Sequence, residues 1–72
     1  MRWEYWGGKT TRWAAYDDHV SAELSSMVAQ GRQSAVFNIA GSQYEIDVVN
    51  MTQNNLATGG APRAIRSLPT FG

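Results

Sequence analysis

The sequence has no cysteine and a single histidine, His19, among its 72 residues. Disulfides and the usual zinc ligand sets are therefore excluded, and these are the staples on which very small folds often lean. The shortage of imidazole also bears on catalysis, because a serine or threonine nucleophile needs a base within hydrogen-bond reach. His19 stands beside Asp17 and Asp18 at the expected start of a helix, where a solvent-exposed residue is the plain reading. Those two adjacent carboxylates point apart and read as helix-capping residues rather than an acid–base pair. The glycine pairs Gly7-Gly8 and Gly59-Gly60 fit neither the P-loop nor the dinucleotide fingerprint. No apolar run approaches the ~20 residues of a membrane span. The opening Met1-Arg2-Trp3-Glu4-Tyr5 is not the basic-then-apolar start of a secretory signal. A non-enzymatic domain is expected, soluble and intracellular (nuclear or cytoplasmic), with no metal, no cofactor and no membrane partner.

With no staples, the core has to come from packing. A chain of this length hides about 60% of its unfolded surface, and per-residue scaling puts its stability at roughly 4–10 kcal/mol. The aromatic supply suits that need: three Trp, three Tyr and two Phe. They are Trp3, Trp6, Trp13, Tyr5, Tyr16, Tyr44, Phe37 and Phe71, and large rings bury much area per residue. One domain is expected over residues 1–68, with 69–72 as linker or tail. Met1 and the Ser67–Gly72 stretch look like the ends of an excised module, so a larger multidomain protein is expected around it.

Net charge is zero, but the charges are unevenly placed. Arg2, Lys9 and Arg12 face only Glu4 in the first 12 residues, and Arg63 and Arg66 follow Val48 with no acid at all. Asp17, Asp18, Glu23, Glu45 and Asp47 crowd the middle against Arg32. If the chain ends fold together, they form a basic face on a neutral protein. A general DNA binder carries a strong overall positive charge, whereas a few placed arginines suit a discrete phosphate group.

Trp3 and Tyr5 alternate with Arg2 and Glu4, the period-two signature of a half-buried strand. Gly7-Gly8 breaks it, Lys9-Thr10 continues the turn, and Thr11–Tyr16 reads as the second strand of a hairpin. Asp17-Asp18 then caps a helix by accepting from orphan amides. Val20, Leu24, Met27 and Val28 form its apolar stripe, and Gly31 ends it. Ala35, Phe37 and Ile39, a tight turn at Gly41-Ser42, then Tyr44, Ile46 and Val48 predict a second hairpin. Asn50–Leu56 is a short strand or turn, Thr58–Pro62 a loop, and Arg63–Leu68 a last edge strand. Short strands around one helix predict an α+β domain, a bent antiparallel sheet or half-barrel wrapped on the helix.

Recognition of an adenine-plus-phosphate ligand needs an apolar or aromatic slot, an amide to read the base edge and a guanidinium for phosphate. Tyr44, Gln53 and Arg63 fall near the ends of successive expected strands, and Tyr5 in the first strand could complete the slot. The plainer reading stays open: a core aromatic, a turn residue and a solvated edge charge.

The ordered set Trp3-x-Tyr5, Trp13-x-x-Tyr16, Leu24 on the helix, Ile39-Ala40-Gly41, Tyr44-x-Ile46-Asp47, Asn50-Met51-x-Gln53, Thr58-Gly59 and Arg63-x-Ile65-Arg66 resembles a WWE domain. The resemblance runs from Trp3 to Arg66. It implies a half-barrel of about six strands packed on one helix. It also implies a module of ubiquitin ligases and poly(ADP-ribose) polymerases that binds poly(ADP-ribose), and hence ADP-ribosylated proteins, through the internal iso-ADP-ribose unit. Tyr5 and Tyr44 then match the pocket tyrosines, Gln53 the adenine-reading glutamine, Arg63 the phosphate-binding arginine and Ile39 an apolar wall. Arg66, with Trp6 and Lys9 at the rim, would add to the site. Trp3 and Trp13 match the two tryptophans of the family name, both assigned mainly to the core. Ser25 stands where the family's helix glutamate usually is, which puts helix docking in question. The alternatives are a protein-interaction module that kept the fold and lost the ligand, or a pocket for ADP-ribose or ATP.

Overall fold

The structure is a computed structural model that describes residues 1–69; residues 70–72, with Phe71 and most of the expected tail, lie outside the described residues. Six antiparallel strands form one open sheet: β1 (Arg2–Trp6), β2 (Trp13–Ala15), β3 (Ser34–Ile39), β4 (Ser42–Asp47), β5 (Thr52–Asn55) and β6 (Arg63–Leu68). Their spatial order is β2-β1-β6-β5-β4-β3, and the helix α1 (Asp18–Ala29) connects β2 to β3. This is the expected α+β half-barrel, with one difference that matters. Arg63–Leu68 is an interior strand, bonded to β1 on one side and β5 on the other, and the edges are β2 and β3. Alternation within six residues says that a segment is a strand, but position in a sheet depends on partners distant in sequence.

Period two assigns the two faces. Trp3, Tyr5, Gln53, Ile46, Tyr44 and Ile65 share the concave face through the register pairs Tyr5↔Ile65 and Ile46↔Gln53. The core is Trp3, Tyr16, Val20, Leu24, Met27, Ile46, Val48 and Ile65, all nearly inaccessible. The helix docks on β1 through Trp3, whose indole Nε1–H donates to Ser25 Oγ at 2.9 Å and whose backbone N–H donates to Ser21 Oγ at 3.3 Å. Ser25 thus supplies an acceptor for the indole, and the helix is docked on β1. Ser21 is buried, whereas Val28, expected in the apolar stripe, is 52% exposed. Both lie on the helix side carrying Ser25, but Val28 is not among the core residues.

Local details also depart from expectation. Asp17 holds the N-cap position but its side chain makes no capping hydrogen bond. At the other end Gly31, with φ of 70°, donates to Val28 O, and Arg32 N donates to Met27 O. That pair of bonds is a Schellman stop, which requires the left-handed residue glycine supplies. The first hairpin turns through a single 3-10 turn, Gly8–Thr10, so β2 starts only at Trp13. The second turns on Ala40 and Gly41 rather than Gly41-Ser42, since Ile39 pairs with Ser42 and both turn residues have positive φ, 52° and 82°.

The convex face carries a charge cluster. Glu4, 5% exposed, accepts from Arg2 Nη2 at 2.6 Å and from Arg66 Nε at 2.8 Å. The Arg66 guanidinium also lies 4.2 Å from the Trp13 ring centroid, and Trp6 meets Trp13 edge-on at 5.4 Å. Trp13 therefore sits half-buried under an arginine rather than in the core. The basic face expected from the chain ends is neutralised at its centre, and the Arg66 hydrogen bond, with Arg2 in support, holds the Glu4 carboxyl below its ordinary range.

Two stability outcomes follow from these turns. Alanine is held in a left-handed conformation at Ala40, so Ala40→Asn should raise the urea midpoint, stabilising the fold by about 0.5–1 kcal/mol. Asp47 ties the β4–β5 turn by accepting from the Val49 and Asn50 amides at 2.9 and 2.7 Å and from Gln33 Nε2 at 3.0 Å. The Asn50 amide first, then Gln33, holds its carboxyl down at about 2 against an ordinary 3.8. Its contribution is complete above that ordinary value and is lost as pH falls toward 2. Urea midpoints of wild type and Asp47→Ala should therefore differ at pH 6 and converge at pH 2.

Candidate functional site

The concave sheet leaves an open cleft of about 660 Å³ at one end. Its floor is Tyr44 on β4, Gln53 and Asn55 on β5, and Tyr5 on β1. One wall is Trp6, Gly7 and Gly8, and the other is the Thr58–Pro62 loop running into Arg63. The floor residues converge because β5 pairs Tyr44↔Asn55 on one side and Gln53↔Arg63 on the other. β6, lying between β5 and β1, brings Tyr5 within reach.

Arg63 is the only charged residue that lines the cleft, among the described residues. Its guanidinium lies on the bare backbone of Gly8, so close that a Cβ there would fall 1.7 Å from Nη1 and 2.8 Å from Cζ. No carboxylate or other protein acceptor takes its N–H groups among the described residues. A guanidinium with no acid beside it can receive an anion, because planar bidentate donation to phosphate meets no internal competitor.

Gln53 is 5% exposed. Its Oε1 accepts from the buried Tyr16 hydroxyl, and Tyr16 packs its ring 4.9 Å from that of Tyr5. Burial, with Tyr5 and Tyr44 adding to it, pushes the Tyr16 phenol well above its ordinary range, so it stays a donor. Among the described residues the amide nitrogen of Gln53 makes no protein hydrogen bond, yet no buried polar side-chain atom lacks a partner. Nε2 is therefore open to the cleft. The Tyr5 and Tyr44 hydroxyls likewise make no protein hydrogen bond among the described residues. Every free polar group on the floor can donate, which suits a ligand rich in acceptors.

The expected site residues divide into two sets. Tyr5, Trp6, Tyr44, Gln53 and Arg63 line the one cleft. Ile39, Lys9 and Arg66 do not: Ile39 packs against the core from edge strand β3, Lys9 is exposed in the 3-10 turn, and Arg66 is committed to Glu4 and Trp13. Arg63 and Arg66 are three residues apart on one strand, so their side chains leave on opposite faces. Three participants escape a reading by residue type: Tyr16 beneath Gln53, Asn55 on the floor, and Gly8 under Arg63. Only the Gly7-Gly8 break hinted at the last. His19 is exposed on the helix, and among the described residues no cluster of His, Asp or Glu could hold a metal. Among the described residues no helix is long and apolar enough to cross a membrane.

The WWE domain model matches residues 1–67 of the chain. The chain belongs to the WWE domain family. WWE domains are binding modules, not catalytic domains, and poly(ADP-ribose) is in general what they bind. No relative is found among curated proteins.

Gly8 has φ of 67° as well as the Arg63 contact. Gly8→Ala should therefore cost about 1–2 kcal/mol of stability and push the guanidinium off its seat. The latter is read as a displaced Arg63 Nε–H resonance, with the rest of the amide spectrum unchanged beyond the Trp6–Arg12 turn.

Proposed function

We infer that this WWE domain reads poly(ADP-ribose) through its iso-ADP-ribose unit and targets a larger nuclear or cytoplasmic protein, a ubiquitin ligase or ADP-ribosyltransferase, to ADP-ribosylated partners. The observation that carries the reading is the Arg63 guanidinium, which lines one cleft with Gln53, Tyr5 and Tyr44 and has no acid partner there among the described residues. Adenine fits between the tyrosine rings and the loop wall with its edge on the Gln53 amide, and phosphate oxygens take the Arg63 and tyrosine donors. The volume suits a nucleotide-sized ligand, since small-molecule sites are commonly about 300–1,000 Å³. With one cation at the site, salt should weaken binding modestly, by screening a single charge contact.

Titration of the domain with iso-ADP-ribose, followed by amide shifts, tests the reading. Shifts are expected at Tyr44, Gln53 and Arg63, with weaker binding of ADP-ribose and ATP. Arg63→Ala should abolish measurable binding, the loss of a charge-assisted contact being about 1.5–3 kcal/mol. Gln53→Ala should weaken it by less. No shifts at millimolar iso-ADP-ribose would remove the reading, and tighter binding of ATP would turn it into a simple nucleotide pocket.

A further inference from the structure

A glutamine amide has two ends of opposite polarity, and what it recognises depends on which end faces the ligand. A free side chain turns over easily and offers either an acceptor or a pair of donors. At Gln53 the choice is made from beneath. The Tyr16 hydroxyl is buried, and Gln53 is its one hydrogen-bond partner among the described residues. Its proton finds an acceptor only if the amide oxygen is turned down toward it. That orientation leaves Nε2 at the cleft, where no protein group among the described residues takes it. Turning the amide over would set Nε2 against the hydroxyl and strand the phenol proton in the core.

We propose that Tyr16 is a positioning residue that fixes the polarity of Gln53 and so makes the cleft select a 6-aminopurine over a 6-oxopurine. The inference rests on the reading of the cleft as an adenine-and-phosphate site. An adenine edge offers a ring-nitrogen acceptor next to an amino donor. Nε2–H donates to the ring nitrogen, and the second lone pair of Oε1 accepts from the amino group while the first stays with Tyr16. In hypoxanthine a carbonyl replaces the amino group, and two oxygens then meet lone pair to lone pair. The amide cannot turn to relieve this without abandoning Tyr16.

The test compares iso-ADP-ribose with its counterpart carrying hypoxanthine, titrated into wild type and Tyr16→Phe. Phenylalanine keeps the ring against Tyr5 and removes the hydroxyl alone. Wild type should prefer the adenine ligand by about tenfold or more, and Tyr16→Phe should reduce that ratio to about threefold or less, because its amide turns freely. A merely structural role for Tyr16 would weaken both ligands alike and leave the ratio unchanged, which would overturn the proposal. Equal binding of the two ligands by wild type would also overturn it, with the nucleotide reading left standing. Failure of wild type to bind either would remove both. Should Tyr16→Phe not fold, the wild-type domain supplies the second arm. The Gln53 Nε2 protons should shift on binding iso-ADP-ribose while the Tyr16 hydroxyl proton stays protected from solvent exchange. A freely exchanging Tyr16 hydroxyl or unmoved Nε2 protons would overturn the proposal.

Discussion

Trp3 is the point from which both the fold and the cleft are set. Its indole is buried and bonded to Ser25, its amide to Ser21, and its carbonyl accepts the Tyr16 amide at 3.0 Å. The first two contacts seat the helix on β1. The third fixes the end of the first hairpin, so that the Tyr16 ring enters the core beside Tyr5 and its hydroxyl arrives under Gln53. A single residue with one large side chain and two backbone groups thus joins strand, helix and site floor. In a domain without cysteine, this concentration of contacts does what a disulfide staple does elsewhere.

The two faces of the sheet divide the labour of the arginines. On the convex face Arg2 and Arg66 share the one carboxylate of Glu4, with Trp13 packed beneath Arg66, so both guanidinium groups already have a partner. Arg63 rests on glycine in a cleft that no acid lines among the described residues. The chain reaches zero net charge and still keeps a guanidinium without an acid partner at the cleft. Position relative to the pleat, not the number of cations, separates a structural arginine from a binding one.

The floor of the cleft is built with the same economy. Tyr5, Tyr44 and Gln53 project donors, and one lone pair of the Gln53 oxygen is already taken from below. A neutral amide would ordinarily be indifferent to the polarity of its ligand. Here a buried phenol, held protonated by its surroundings, removes the indifference.

Much of this was legible in the sequence. The period-two runs around Trp3-Tyr5, Ala35–Ile39 and Tyr44–Ile46, the helix ended by Gly31, and the ordered aromatic and arginine positions were enough for an α+β half-barrel and a WWE resemblance. Tyr5, Trp6, Tyr44, Gln53 and Arg63 were named from the same pattern, because strand ends and residue types are local properties. The rest was not local. Whether Arg63–Leu68 lies at an edge or in the interior depends on pairing across the whole chain. The commitment of Arg66 to Glu4 and the place of Trp13 outside the core depend on which face meets the helix. The seat of Arg63 on Gly8 and the bond from Tyr16 to Gln53 join residues 55 and 37 apart in sequence. Residue type and periodicity say which groups are available and which way they alternate, and only tertiary packing brings a donor to its acceptor.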